Sequence, residues 1–76
     1  MENKVYVLSV YDSSNVMIES FAFSSKEKAD KKMDSVIKSY YEEDIKKVSK
    51  GTFSGWVEFF DGSELILGIS EVKVDE

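Results

Sequence analysis

The chain has 76 residues, a formal net charge of −5, and neither His nor Cys, so disulfides, thiolate metal sites and histidine-based acid–base or metal chemistry are excluded. A hydrophobic share of 42% supports one packed core, and residues 1–76 are expected to form a single domain. A chain this short buries only about 60% of its unfolded surface, so self-association is the stabilising device left to it.

Residues 4–11, Lys-Val-Tyr-Val-Leu-Ser-Val-Tyr, are rich in β-branched and aromatic types and predict a strand. Asp12-Ser-Ser-Asn15 is a turn cluster, and residues 16–23 predict a second strand that pairs antiparallel with the first. A four-residue loop places Val5, Val7 and Ile18 on one side and Tyr6, Leu8, Val10, Met17 and Phe21 on the other, so both sides carry apolar residues.

An amphipathic helix is predicted from Ser25 to Asp44, entered through a capping box of Ser24 and Glu27. Ala29, Met33, Val36, Ile37 and Tyr40 share its apolar face. Glu27, Lys31, Asp34, Lys38 and Glu42 share the other face, with Glu27–Lys31 and Asp34–Lys38 as i,i+4 pairs. Lys46, Lys47 and Lys50 are expected near or past the helix end, where cations suit its dipole. Ile45 and Val48 either extend the helix or line the exit from it.

Residues 52–60 predict a third strand, Asp61-Gly62 a tight turn, and residues 64–74 a fourth strand. A three-residue turn from Asp61 to Ser63 puts Phe53, Val57, Phe59, Leu65, Leu67 and Ile69 on a face that meets the helix. Ser54, Trp56, Glu58, Phe60, Ile66 and Ser70 take the other face. Gly55 and Gly68 lie inside strands, where sheet curvature is the favoured reading over a close backbone approach. The fold class is α+β: a two-layer β-β-α-β-β domain with a four-stranded, mainly antiparallel sheet and one helix on one face. One helix covers one face of such a sheet, so the second face is left over.

Charge is unevenly spread. Residues 51–76 contain Glu58, Asp61, Glu64, Glu71, Asp75 and Glu76 against Lys73 alone, so the final hairpin is the acidic part. Such a surface favours basic partners and disfavours phosphate backbones. The ten basic residues are all lysine, which removes the bidentate arginine contacts of base readout. Lysines 26, 28, 31, 32 and 38 are interleaved with Glu27, Asp30 and Asp34, which fits a solvated face better than a nucleic-acid stripe. Direct nucleic-acid binding is therefore not expected. No apolar run approaches the roughly 18 residues of a membrane span. Met1-Glu2-Asn3-Lys4 lacks the basic-then-apolar start of a signal peptide. A cytoplasmic protein is the expectation.

Carboxylates are the only acid–base candidates. Glu42-Glu43-Asp44 lacks the spaced ladder and glycine of a calcium loop and reads as a solvated helix end. Glu58 and Glu64 lie near the last turn, where a facing pair of carboxylates would serve glycosidic chemistry, but a chain this short offers little cleft for a sugar. Serines 13, 14, 24 and 25 have no base beside them and serve turns and caps. No catalytic, metal or cofactor residue is assigned, and a non-enzymatic protein is expected. Trp56, Phe60 and one of Tyr6 or Tyr11 have the character of interface anchors. The interface set is Trp56, Glu58, Phe60, Glu64 and Ile66, with packing into the chain's own core as the competing reading.

Lys4-Val-Tyr-Val-Leu, the run Phe23-Ser-Ser-Lys-Glu-Lys-Ala29 and the ending Glu71-Val-Lys-Val-Asp-Glu76 resemble small accessory proteins of phages and prophages of low-GC bacteria. The resemblance covers about half of the chain and carries over no functional residue. It implies a factor, in the host cytoplasm, that binds and inhibits a host or defence protein. The leading expectation is an inhibitor that uses its acidic, aromatic sheet surface against a basic, nucleic-acid-binding protein. A homodimeric structural or regulatory module is the alternative, and a small-ligand or nucleotide binder a further one.

Overall fold

The computed structural model describes residues 3–74. The architecture is α+β, with strands β1 (Asn3–Asp12) and β2 (Met17–Phe23), helix α1 (Lys26–Lys38), and strands β3 (Ile45–Lys50), β4 (Ser54–Phe59) and β5 (Glu64–Val74). The sheet has five strands rather than the expected four, in the order β2-β1-β5-β4-β3, with every neighbouring pair antiparallel. The acidic residues Glu2, Asp75 and Glu76 lie outside the described residues.

The strand missing from the sequence reading is β3, and its composition explains why. Ile45 and Val48 stand three apart, a helical spacing. The ladder to β4 shifts between Ile45 and Lys47, so Ile45 still pairs with Phe59 and Val48 with Val57. The bulge thus returns both apolar side chains to one face. The helix accordingly ends at Lys38, with Ser39 as its C-cap, and Glu42–Asp44 form a separate 3-10 turn. Lys46, Lys47 and Lys50 are strand residues, not helix-end cations.

The helix start is displaced by one residue. Ser25 is the N-cap, its hydroxyl accepting from the Lys28 amide at 3.2 Å, so the Ser24–Glu27 capping box does not form. Lys31 and Glu27 pair at 3.6 Å as expected. Asp34 instead takes the Lys50 ammonium at 2.5 Å, tying α1 to the β3 edge.

Alternation sorts the strands cleanly. Leu8 and Val10 of β1, Val57 and Phe59 of β4, and Leu65, Leu67 and Ile69 of β5 are buried with Ala29 and Met33 of α1. Tyr6, Phe21, Phe23, Val36, Ile37, Tyr40 and Ile45 pack around this core. Gly55 sits where the helix comes closest: a Cβ there would lie 3.1 Å from the Met33 Sδ and 3.4 Å from Leu67 Cδ1. Close approach, not curvature, explains this glycine; at Gly68 a Cβ would meet nothing within 4 Å. Phe53 precedes β4 and remains partly exposed, with the Lys26 ammonium 5.0 Å from its ring centroid.

The last hairpin closes through Phe60-Asp61-Gly62, with Phe59 N–H donating to the Ser63 carbonyl at 3.0 Å and Gly62 at φ 91°. The pairing is shifted by two residues from the expected turn, Trp56 facing Ile66 and Glu58 facing Glu64. A shift of two preserves the faces, because side chains alternate with period two. Among the described residues no helix lies on the opposite side of the sheet. The radius of gyration, 13.5 Å, exceeds the roughly 11 Å of a compact chain of this length, as a sheet covered on one side requires.

Candidate functional site

The uncovered face is built in rows that cross the strands. One row runs Ile18, Tyr11, Ile66, Trp56 and Ser49 from β2 to β3, each paired with the next. The following row toward the last turn is Glu64, Glu58 and Lys47. On the far side lie Ser20, Ser9, Gly68 and Ser54, and beyond them Val7, Ala22 and Ser70. The first row is an apolar band bounded by carboxylates toward the β4–β5 turn and by small polar residues on the other side, and the face becomes apolar again at its far end, where Val5 pairs with Val72. Strands spaced by about 4.8 Å make that band nearly 20 Å wide.

Of the five residues expected at an interface, Trp56, Glu58, Glu64 and Ile66 lie on this face by register, whereas Phe60 sits in the β4–β5 turn and lines a concavity at that end of the sheet. Phe60 is 68% and Ile66 46% exposed, whereas Trp56, Glu58 and Glu64 are half-buried. Tyr11 lies on this face, and Tyr6 packs against the core on the other. Tyr11 and Ile18 join the band only because β1 lies beside β5, which no local pattern reveals. Lys47 stands opposite Glu58, with its ammonium 5.9 Å from the Trp56 ring centroid, and was missed because β3 was missed.

A concavity of about 280 Å³ opens at the same end of the sheet. The carboxylates of Asp12, Asp44 and Asp61 and the rings of Tyr40, Phe59 and Phe60 line it. Three segments meet there through main-chain bonds. Ser13 N–H donates to the Glu64 carbonyl at 3.0 Å and its hydroxyl accepts from the Glu64 amide at 2.7 Å, while Phe60 N–H reaches the Asp44 carbonyl at 3.0 Å. Tyr40 and Phe59 meet with centroids 5.1 Å apart.

Two of these carboxylates, Asp12 and Asp61, favour the charged form. Asp12 accepts from the Ser14 hydroxyl at 2.7 Å, the Ser14 amide at 2.9 Å and the Asn15 side-chain amide at 3.2 Å. The Ser14 hydroxyl foremost holds Asp12 below the usual carboxylate range. Asp61 is lowered in the same way by the Ser63 hydroxyl and amide. Burial, and then the Asp12 charge, push the Tyr40 hydroxyl above its ordinary value. The concavity is thus anionic at neutral pH and walled by aromatic rings, which suits a cationic side chain.

Among the described residues no group of three or more His, Cys, Asp or Glu side chains is placed to hold a metal ion, and no helix is long and apolar enough to cross a membrane. No family model matches the chain, and no curated protein or solved structure gives a significant match.

Proposed function

We propose that the chain is a non-enzymatic protein-binding module whose uncovered sheet face docks a basic segment of a partner protein. The observation that carries this reading is the adjacency of two rows: the apolar band of Tyr11, Ile66 and Trp56, and the Glu64–Glu58 pair beside it. An exposed apolar band bounded by carboxylates fits a surface that alternates aliphatic and cationic side chains. Trp56 and Ile66 supply the buried contact, and Glu58 and Glu64 receive lysine or arginine heads. Such a surface competes with phosphate for a cationic channel, so a nucleic-acid-binding protein is the natural target. The resemblance to phage accessory proteins supports inhibition of a host or defence protein in the cytoplasm as the setting.

The test is fluorescence anisotropy with a labelled peptide of alternating arginine and leucine, set against a glutamate–leucine peptide of equal length. The basic peptide should bind, and its affinity should fall as salt is raised. Trp56→Ala combined with Glu58→Lys should weaken binding by about tenfold or more, the scale of losing one interface anchor. Equal binding of both peptides, or full binding by the double variant, would overturn the proposal.

A further inference from the structure

The two edges of the sheet are built differently. The β3 edge carries Lys46, Lys47 and Lys50 and a register shift after Ile45, both of which discourage another strand from adding. The β2 edge has neither device. Its seven residues, Met17–Phe23, pair with β1 in unbroken register, contain no lysine or proline, and carry one charge, Glu19. Ile18 is 71% and Met17 55% exposed. Among the described residues no strand lies on the outer side of β2.

We propose that this edge pairs antiparallel with β2 of a second copy, about a two-fold axis through Ser20, to form one continuous sheet. The register follows from charge. The Lys32 ammonium of α1 lies over the ring of Phe21, a residue of this edge strand, 4.7 Å from its centroid. With Ser20 opposite its own copy, Glu19 falls opposite Phe21 of the second chain and so beneath that chain's Lys32, and the contact occurs twice. An axis through Glu19 would set two carboxylates against each other, which is unfavourable. An axis through Phe21 would carry Glu19 away from the lysine to Phe23. The Ser20 register also sets Ile18 against Ala22 and Met17 against Phe23, so the exposed aliphatic groups find apolar partners. Both helices then lie on one side of the joined sheet. The uncovered faces form a single surface on the other, so pairing leaves the proposed docking face open and stands independently of that function. A closed two-fold pair also removes the bare edge, which would otherwise recruit strands without limit.

Sedimentation equilibrium from low to high micromolar concentration tests the pairing. The wild-type chain should dimerise. Ser20→Lys, which sets two cations across the axis at a position exposed in the single chain, should leave a folded monomer by circular dichroism. Glu19→Lys and Lys32→Glu should each weaken the homodimer by about tenfold or more, since each sets like charges across the edge. Mixing these two variants should yield a heterodimer, because both cross-edge contacts regain opposite charges; an effect confined within one chain is not restored by mixing. A wild-type monomer at high micromolar concentration, a dimer unaffected by Ser20→Lys, or a mixture that stays monomeric would each overturn the proposal. A dimer broken by Trp56→Asp but not by Ser20→Lys would place the contact on the sheet face instead.

Discussion

Gly55 and Met33 should be energetically coupled, because one makes room for the other. Met33 is fully buried, and its Sδ lies 3.1 Å from the site of a Cβ on Gly55. Replacing Gly55 by Ala removes backbone freedom from the unfolded chain, a gain of about 0.5–1 kcal/mol. It also forces a methyl group into a filled contact, a loss of about 1–3 kcal/mol. The net expectation is a destabilisation of roughly 0–2.5 kcal/mol. Met33→Ala alone should cost about 2–5 kcal/mol through lost burial and the cavity left behind. In the Met33→Ala background the new methyl enters that cavity, so Gly55→Ala should become neutral or stabilising. The coupling should be about 1–3 kcal/mol, the range of residues in direct contact. Total stability for this length is about 4–11 kcal/mol, so the urea titrations belong in trimethylamine N-oxide, which keeps the weaker variants folded. Trp56 fluorescence and far-ultraviolet circular dichroism report the midpoints, compared at constant slope. Additivity within about 0.5 kcal/mol, or stabilisation by Gly55→Ala alone, would refute the close-approach account.

Three further outcomes follow from local geometry. Ser25→Ala should cost about 0.5–2 kcal/mol of stability and Ser24→Ala under about 0.5, since Ser25 caps the helix; thermal melts of the two variants separate them. Val16, at φ 50° and exposed, holds a conformation that β-branched residues resist, so Val16→Gly should raise stability by about 1 kcal/mol in urea titrations. The Tyr40 hydroxyl is raised by burial and by Asp12, so the folded chain keeps a proton that the unfolded chain loses near pH 10. Its contribution to stability is complete below that value and is lost as pH climbs through the folded one. Ultraviolet titration should reveal a late tyrosine step that Asp12→Asn moves to lower pH.

What could be read from the residues was whatever alternation or helical spacing carries on its own. The β5 bounds, the apolar face of α1 and the two faces of each long hairpin follow from patterns a few residues wide. The two-residue slip at Asp61-Gly62 left the faces intact for the same reason. The β3 strand was hidden because its bulge gives Ile45 and Val48 a helical spacing amid lysines. The candidate site divides likewise. Trp56, Glu58, Glu64 and Ile66 share a face by parity, whereas Phe60 falls in the turn because the register slips by two. Tyr11, Ile18, Lys47 and the convergence of Asp12, Asp44 and Asp61 depend on strand order, which is set by contacts between residues far apart in the chain.

β5, the last of the five strands in chain order, is the middle strand of the sheet. β5 pairs with β1 along its whole length and with β4 over its first half, so without it the β1–β2 and β3–β4 hairpins have no backbone ladder between them. It also brings Leu65, Leu67 and Ile69 to the core. Without β5 neither hairpin has the third strand that an independently stable sheet needs, and the helix has lost the floor beneath it. The rows of the open face and the core are completed by this same strand, which joins residues near opposite ends of the sequence.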